Sequence, residues 1–182
     1  MISLPTLKSV KIKINKKEFE AQVRRWNKKD IPIIRKALRN WRDLSEFLKK
    51  HGARGTNLPE LLSEAIFCIC SGSVQVVNVK GRAEKGFDCY DQKKHARQQI
   101  KGSSNIATPS SFGPHSKFDE VYWVVIEPES KHFKYKIYSI PRDAVVNHPN
   151  FRKHVPEGRR PRFSLWEIVK RRNLQPVYEG KI

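Results

Sequence analysis

The segment from Leu61 to Ile69 places the strongest constraint on the fold of this chain. Read as a helix, it carries apolar side chains on nearly every side, and a helix of that kind is buried inside a protein. Asn57-Leu58-Pro59-Glu60 comes just before it and is typical of a helix start, because Asn57 can cap the helix and Pro59 fits the first turn. The chain must therefore supply a sheet or other helices to cover this helix.

Strands are predicted on the C-terminal side of this helix, where apolar and β-branched residues cluster between turn residues. These strands are residues 74–79, 87–90, 97–102, 121–126 and 135–140. Helices are predicted at both ends of the chain, over residues 16–27, over residues 31–50, and from Ser164, where Ser164-Leu165-Trp166-Glu167 is a capping box. This order predicts an α/β (α+β) domain with a central mixed β-sheet flanked by helices.

The net charge of the chain is the second constraint, and it limits the kind of molecule that the protein binds. The 182 residues include 37 Lys or Arg against 18 Asp or Glu, a net charge of +19. Residues 1–54 carry 16 cations against five anions, residues 55–140 carry 11 against nine, and residues 141–182 carry ten against four. An excess of this size predicts a polyanionic partner.

The length and the charge pattern together predict one domain over residues 1–182. Its parts would be a basic helical N-terminal part (1–56), a nearly neutral core that holds the site (57–140) and a basic C-terminal part (141–182). Cys68, Cys70 and Cys89 form no CxxC pair and no disulfide framework, which indicates a reducing environment. Without an apolar run near the ~20 residues that span a bilayer, or an apolar signal core, we expect a soluble cytoplasmic protein.

A polar constellation lies on two of the predicted strands. Gln99 and Lys101 are two residues apart, so on a strand they point to one face while Ile100 points into the core. Asp88, on the preceding strand, adds a carboxylate. An acid and a second oxygen ligand suit Mg²⁺, and a lysine beside that ion can orient a water or stabilise negative charge on a phosphate.

With these residues in view, the chain resembles type II restriction endonucleases of the PD-(D/E)XK nuclease superfamily over roughly residues 52–172. The segments that carry the resemblance are Asn57-Leu58-Pro59-Glu60 with Ser63-Glu64, Gly86-Phe87-Asp88, Gln99-Ile100-Lys101-Gly102-Ser103-Ser104, the apolar strand after Phe118-Asp119, and Arg159-Arg160-Pro161-Arg162-Phe163-Ser164. The resemblance implies a restriction-endonuclease-like core and Mg²⁺-dependent hydrolysis of double-stranded DNA at a short specific sequence.

The resemblance also implies roles for residues. Asp88 would bind the metal, Gln99 would stand where the family usually has a second Asp or Glu, and Lys101 would be the motif lysine. Glu64 would be an extra acidic ligand or would hold a water. Gln99 departs from the pattern and leaves the site one negative charge short, which either Glu64 or Asp91 could restore, although strand alternation places Asp91 on the opposite face.

DNA contacts are expected next to this site and in the C-terminal part. The candidates are Ser103, Ser104, His115, Arg159, Arg160 and Arg162. Arginine can bind guanine bidentately, but phosphate contact is the commoner role. Cutting both strands of a symmetric DNA site is easiest for a two-fold homodimer, and a monomer that cuts twice is the alternative. A cognate methyltransferase is expected in the same system.

Two other functions fit parts of the same pattern. A junction resolvase or repair endonuclease would share the acid and lysine chemistry but would cut branched or damaged DNA. A non-catalytic basic nucleic-acid-binding protein would show salt-dependent binding and no cutting. Cutting of plain duplex at one sequence would separate restriction from both.

Overall fold

The computed structural model describes residues 4–81 and 86–182 of the chain. Numbered in chain order, the strands are β1 (Leu7–Ile14), β2 (Lys17–Arg24), β3 (Val74–Val79), β4 (Cys89–Asp91), β5 (Ala96–Ser103), β6 (Ser110–Ser111), β7 (Glu120–Pro128), β8 (Phe133–Ile140), β9 (Arg162–Phe163) and β10 (Tyr178–Lys181). The α-helices are α1 (Ile31–Lys50), α2 (Glu60–Ser71), α3 (Arg142–Val146), α4 (Pro149–His154) and α5 (Leu165–Arg171).

The centre of the fold is an eight-stranded mixed sheet in the order β1-β2-β3-β4-β5-β7-β8-β10. Its neighbouring strands run antiparallel, except that β5 and β7 run parallel, with Gln98 opposite Glu120 and Ser103 opposite Val125. The strands β6 and β9 form a separate two-stranded sheet. This architecture confirms the predicted mixed sheet flanked by helices.

The predicted helix over residues 16–27 is wrong, because this segment is half of a β-hairpin. The strands β1 and β2 pair along their whole length and bury Ile12, Ile14, Ala21 and Val23 against β3. Their burial alternates every second residue, which is the period of a strand. The helical part of the basic N-terminal segment therefore begins with a short 3₁₀ turn at Lys28–Asp30 and continues as α1.

Two apolar layers cover the two faces of the sheet. On one face, α1 and α2 pack through Leu38, Trp41 and Ile66 against Ile100 and Val124 of the central strands. On the other face, α3 and α5 pack against alternate residues of β7 and β8, together with Phe112 and Phe163. The strand β7 is apolar on both sides because it separates these two layers.

The parallel pair is held at its start by one arginine–aspartate contact. The Arg97 guanidinium donates to both carboxylate oxygens of Asp119, at 2.9 Å and 2.7 Å, and the Asp119 backbone nitrogen donates to the Arg97 carbonyl at 2.8 Å. These hydrogen bonds hold the pKa of the Asp119 carboxyl below its usual range. The contact fixes where β5 begins relative to β7, and hence the register of the residues that follow.

The helix α2 lies close to β5 because Gly102 has no side chain. A Cβ added at Gly102 would lie 2.5 Å from Ser63 Oγ and 2.7 Å from Ser63 Cβ. The predicted burial of this helix is confirmed by seven successive buried residues, from Leu62 to Cys68. Among the helices of the described residues, none is both long and apolar enough to cross a bilayer.

Candidate active site

Asp88, Gln99 and Lys101 line one cavity of about 230 Å³ beside the sheet. The Asp88 carboxylate accepts a hydrogen bond from the Gln99 side-chain amide and one of 2.8 Å from the Ile100 backbone nitrogen. Gln99 uses its side-chain nitrogen for this contact, so its Oε1 is the atom that could bind a metal. The structure therefore brings together the three residues that the sequence placed at one site.

The backbone holds Asp88 between two strands, just before β4 begins. Its nitrogen donates to the Gln98 carbonyl and its carbonyl accepts from the Val76 nitrogen, both at 2.9 Å. Gly86, two residues earlier, has a φ of +73°, and a Cβ there would lie 3.1 Å from the His115 carbonyl oxygen. Glycine at position 86 thus lets the chain pass under the 113–117 loop and deliver Asp88 to the cavity.

Glu60 is a cavity residue that the sequence analysis did not select. It lies in the first turn of α2, is exposed, and lines the same cavity as Asp88 and Lys101. Glu64 lies one turn further along the helix and is only 6% exposed. Its Oε2 accepts a hydrogen bond of 2.5 Å from the Gln75 amide, whose own oxygen accepts from Trp26 Nε1 at 3.0 Å.

Glu60 and Glu64 lie four residues apart on α2 but at different depths in the protein. Residues four apart on a helix share one face, so both carboxylates point towards the same side of α2. The resemblance implied a role for Glu64, whose buried carboxylate needs a partner. In the structure Gln75 is one such partner, and Glu64 is not among the described residues that line the cavity. The role predicted for Glu64 stays a prediction.

The predicted DNA-contacting residues fall into two groups. Arg160 lines the cavity itself, while Ser103, Ser104 and Arg162 line an adjoining cleft that shares Glu60, Lys101 and Ser111 with the cavity. His115 and Arg159 are exposed, and neither is among the described residues of the cavity or the cleft. Arg159 is paired with Glu157, with Nε 2.7 Å from Oε2. Asp91, the alternative acid, accepts hydrogen bonds from Lys93 and Lys94 in the turn after β4.

The donor set of the cavity suits a hard divalent cation. In residues 4–81 and 86–182, no group of three His, Cys, Asp or Glu could hold a metal. The cavity instead offers two carboxylates, Asp88 and Glu60, and the amide oxygen of Gln99. Mg²⁺ uses one or two carboxylates and keeps several waters, so this oxygen set fits it. Burial raises the pKa of the neighbouring Cys89 thiol well above its usual range, so that thiol stays neutral.

Comparison with known protein families matches residues 26–171 to the family described as Bsp6I restriction endonuclease. This chain belongs to the Bsp6I restriction endonuclease family. It is 27% identical over 173 residues to the type II restriction enzyme Bsp6I of Bacillus sp. (strain RFL6), with 91% of this chain and 89% of that protein covered. No solved structure matches the chain.

Membership in the Bsp6I restriction endonuclease family confirms the predicted enzyme class, a type II restriction endonuclease, and with it DNA as the partner. It favours that class over a junction resolvase, a repair endonuclease or a non-catalytic binding protein. The matched residues include every candidate site residue named above, from Glu60 to Arg162. The hairpin β1–β2 precedes the matched region.

Proposed function

We propose that this protein is a Mg²⁺-dependent nuclease of the PD-(D/E)XK type, which hydrolyses phosphodiester bonds of double-stranded DNA at a short specific sequence. The observation that carries the proposal is the convergence of Asp88, Gln99 and Lys101 on one cavity. The family membership supports the reaction class, and the acid, amide and lysine supply its chemistry.

Asp88 and Gln99 Oε1 would hold the metal, and a carboxylate of α2 would complete the set. Glu60 is the α2 carboxylate that lines the cavity, and Glu64 lies one turn away towards the core. When bound, Mg²⁺ polarises the scissile phosphate and lowers the pKa of the attacking water. The Ile100 backbone nitrogen and the Gln99 amide fix the Asp88 carboxylate in place, so the ligand is oriented before the ion arrives.

Lys101 orients the attacking water and offsets the negative charge that grows on the phosphate. It shares its face of β5 with Gln99, which places its ammonium next to the metal ligands rather than in the core. An ammonium at this point stabilises the transition state more than the substrate, because the charge on the phosphate increases during attack.

The cleft next to the cavity holds the DNA. Arg162 and hydroxyl side chains of the segment after β5 line this cleft, and Arg160 lines the cavity. Ser103 donates its hydroxyl proton to the Asn105 carbonyl at 2.5 Å and accepts from the Asn105 nitrogen at 3.1 Å, so it orders the loop, and a phosphate contact requires the hydroxyl to release the Asn105 carbonyl. His115 and Arg159 are outer contacts to the DNA backbone.

The assembly follows from the reaction. A homodimer places two such cavities on the two strands of a symmetric site. A cognate methyltransferase protects the host sequence, and both act on DNA in the cytoplasm. Residues 1–182 form one nuclease domain.

Cleavage of plasmid DNA tests the proposal. We expect the wild-type chain to give discrete fragments with MgCl₂ and none with EDTA. Asp88→Asn and Lys101→Met should bind the DNA yet fail to cut it. Asp91→Asn is the matched control, because Asp91 serves a turn outside the cavity and asparagine keeps its acceptor oxygen. Full cleavage by Asp88→Asn would overturn the assignment, and a smear of fragments would overturn the sequence specificity.

A further inference from the structure

We propose that Phe112 is a positioning residue for the reaction: the face of its ring holds the Lys101 ammonium at the cavity by a cation–π contact. The inference rests on the role proposed above for Lys101 and adds the residue that keeps this lysine in place. Phe112 belongs to the segment after β6, eleven residues beyond Lys101 in the chain.

The contact is defined by distance. Lys101 Nζ lies 5.2 Å from the centroid of the Phe112 ring. A cation within about 6 Å of a ring centroid is attracted by the negative face of the ring. Lys101 Nζ makes no hydrogen bond or ion pair with another described residue, so the Phe112 ring is a contact that can hold its position. A free lysine side chain would otherwise sample many rotamers.

The Phe112 ring can serve as a fixed surface because the surrounding rings pack tightly against it. Phe112 is fully buried, and its ring stacks on Phe163 with the centroids 5.3 Å apart and the planes 13° apart. The ring of Phe151 meets it edge-on at 5.9 Å. The Phe112 backbone nitrogen donates to the Pro161 carbonyl at 3.1 Å. Backbone and ring are thus both held by the segment that contains β9.

This arrangement joins the lysine to the DNA-contacting segment. In the pairing of β6 with β9, Ser111 lies opposite Arg162 and Ser110 lies opposite Phe163, and Phe112 follows directly after β6. Arg160 and Arg162 flank Pro161, whose carbonyl accepts from Phe112. The chain that contacts DNA and the ring beneath the lysine therefore form one packed unit, which explains why the long loop after β5 returns to this point.

The first test changes the electrons of the ring and leaves its shape nearly intact. Phenylalanine analogues with one, two and three ring fluorines are placed at position 112 of the full chain, because fluorine weakens the negative ring face. We expect kcat to fall stepwise, by about 2- to 30-fold across the series, while KM and the melting temperature stay constant. A flat kcat across the series would overturn the proposal.

The second test reads the contact without cleavage. In metal-free protein, the Lys101 ε-CH₂ protons should show an upfield ring-current shift in NMR spectra, and Phe112→Leu should remove it. An unshifted resonance in the wild-type protein would overturn the contact.

Lys101→Met separates this inference from the proposed function. If Lys101→Met is inactive and the fluorine series is flat, Phe112 does not position the lysine, but the lysine still acts. If Lys101→Met cuts like the wild type, the role of Lys101 fails and the inference fails with it.

Discussion

At the scale of single residues, the site depends on which of two carboxylates faces the cavity. Glu60 and Glu64 are one helical turn apart on α2, and each could complete a metal site with Asp88. Glu60 is exposed at the cavity, whereas Glu64 is buried and bonded to Gln75. Glu60 lies at the start of α2, where its carboxylate meets solvent, whereas Glu64 lies one turn further along the helix, where its carboxylate is buried in the core.

Isosteric substitutions should separate the two carboxylates. We expect Glu60→Gln to lower the cleavage rate by about 100-fold and to raise the Mg²⁺ concentration needed, because it removes a charged ligand from the cavity. Glu64→Gln should lower the free energy of unfolding by about 1–3 kcal/mol, because the Gln75 amide loses a charged acceptor. Cleavage against MgCl₂ concentration and denaturant titration measure the two effects. The reverse pattern would make Glu64 the metal ligand.

The polar residues of β5 show what can be predicted at this scale. The alternation of Gln99, Ile100 and Lys101 is a local property of a strand, so their sequence was enough to place two of them at one site. Phe112 could not be assigned to Lys101 in this way, since the loop that joins them follows no repeat and its path depends on distant packing with Phe163. Glu60 could have been predicted from the sequence, because it shares a helix face with Glu64.

At the scale of elements, the approach of α2 to β5 brings Glu60 and Lys101 to the same cavity. Gly102 permits that approach, and Ser63 occupies the space that a side chain would need. The helix start at Glu60 and the strand end at Ser103 therefore meet at the edge of the cavity. A larger separation of helix and strand would open the site without changing any of its functional side chains.

Gly102→Ala should test this packing. The added Cβ cannot fit within 2.7 Å of Ser63 Cβ, so α2 must shift. We expect a loss of about 1–3 kcal/mol in the free energy of unfolding, and a lower kcat from the misplaced Glu60. Combining it with Ser63→Gly should recover part of the stability, since that change removes the clashing atoms. Denaturant titration and steady-state cleavage give both values; additive losses in the double variant would argue against a direct clash.

The N-terminal hairpin shows where prediction of elements from sequence failed. Phe19, Val23 and Trp26 have helical spacing, yet β1 and β2 form strands because Ile12, Ile14, Ala21 and Val23 meet β3. The preference for a strand comes from a partner more than 50 residues away in the chain. The short strand β10 escaped prediction for the same reason, because its pairing with β8 rather than its composition makes it a strand.

At the scale of the whole molecule, most of the net charge of +19 comes from residues 1–54 and 141–182, whereas residues 55–140 carry 11 cations against nine anions. Arg54, Lys101 and Arg162 line the cleft together with Glu60, so the proposed DNA site has an excess of positive charge. The mixed sheet supplies the rigid support, since both of its faces are covered by helices.

The affinity of the Asp88→Asn variant for DNA should fall as the salt concentration rises, because the cations of the protein bind DNA phosphates. The logarithm of its binding constant should fall linearly with the logarithm of salt concentration, by about 0.9 for each phosphate contacted. Arg162→Ala in the same background should lower that slope by about one, because Arg162 lines the cleft. Lys8→Ala is the control: Lys8 is exposed on β1, at the far edge of the sheet from the cleft. If Lys8→Ala lowered the slope as much as Arg162→Ala, the positive charge of the protein would attract DNA without a defined binding groove.

The sequence by itself determined the enzyme class, the buried helix α2, the strands β5 and β7, and the grouping of Asp88, Gln99 and Lys101. The helix and the two strands follow from local periodicity, the grouping of the three residues follows from their spacing on predicted strands, and the enzyme class follows from the resemblance to type II restriction endonucleases. The tertiary structure decided that Glu60 rather than Glu64 lines the cavity, that β1 and β2 extend the sheet, and that Phe112 lies beneath Lys101. Those outcomes depend on contacts between segments distant in the chain, which no local pattern encodes.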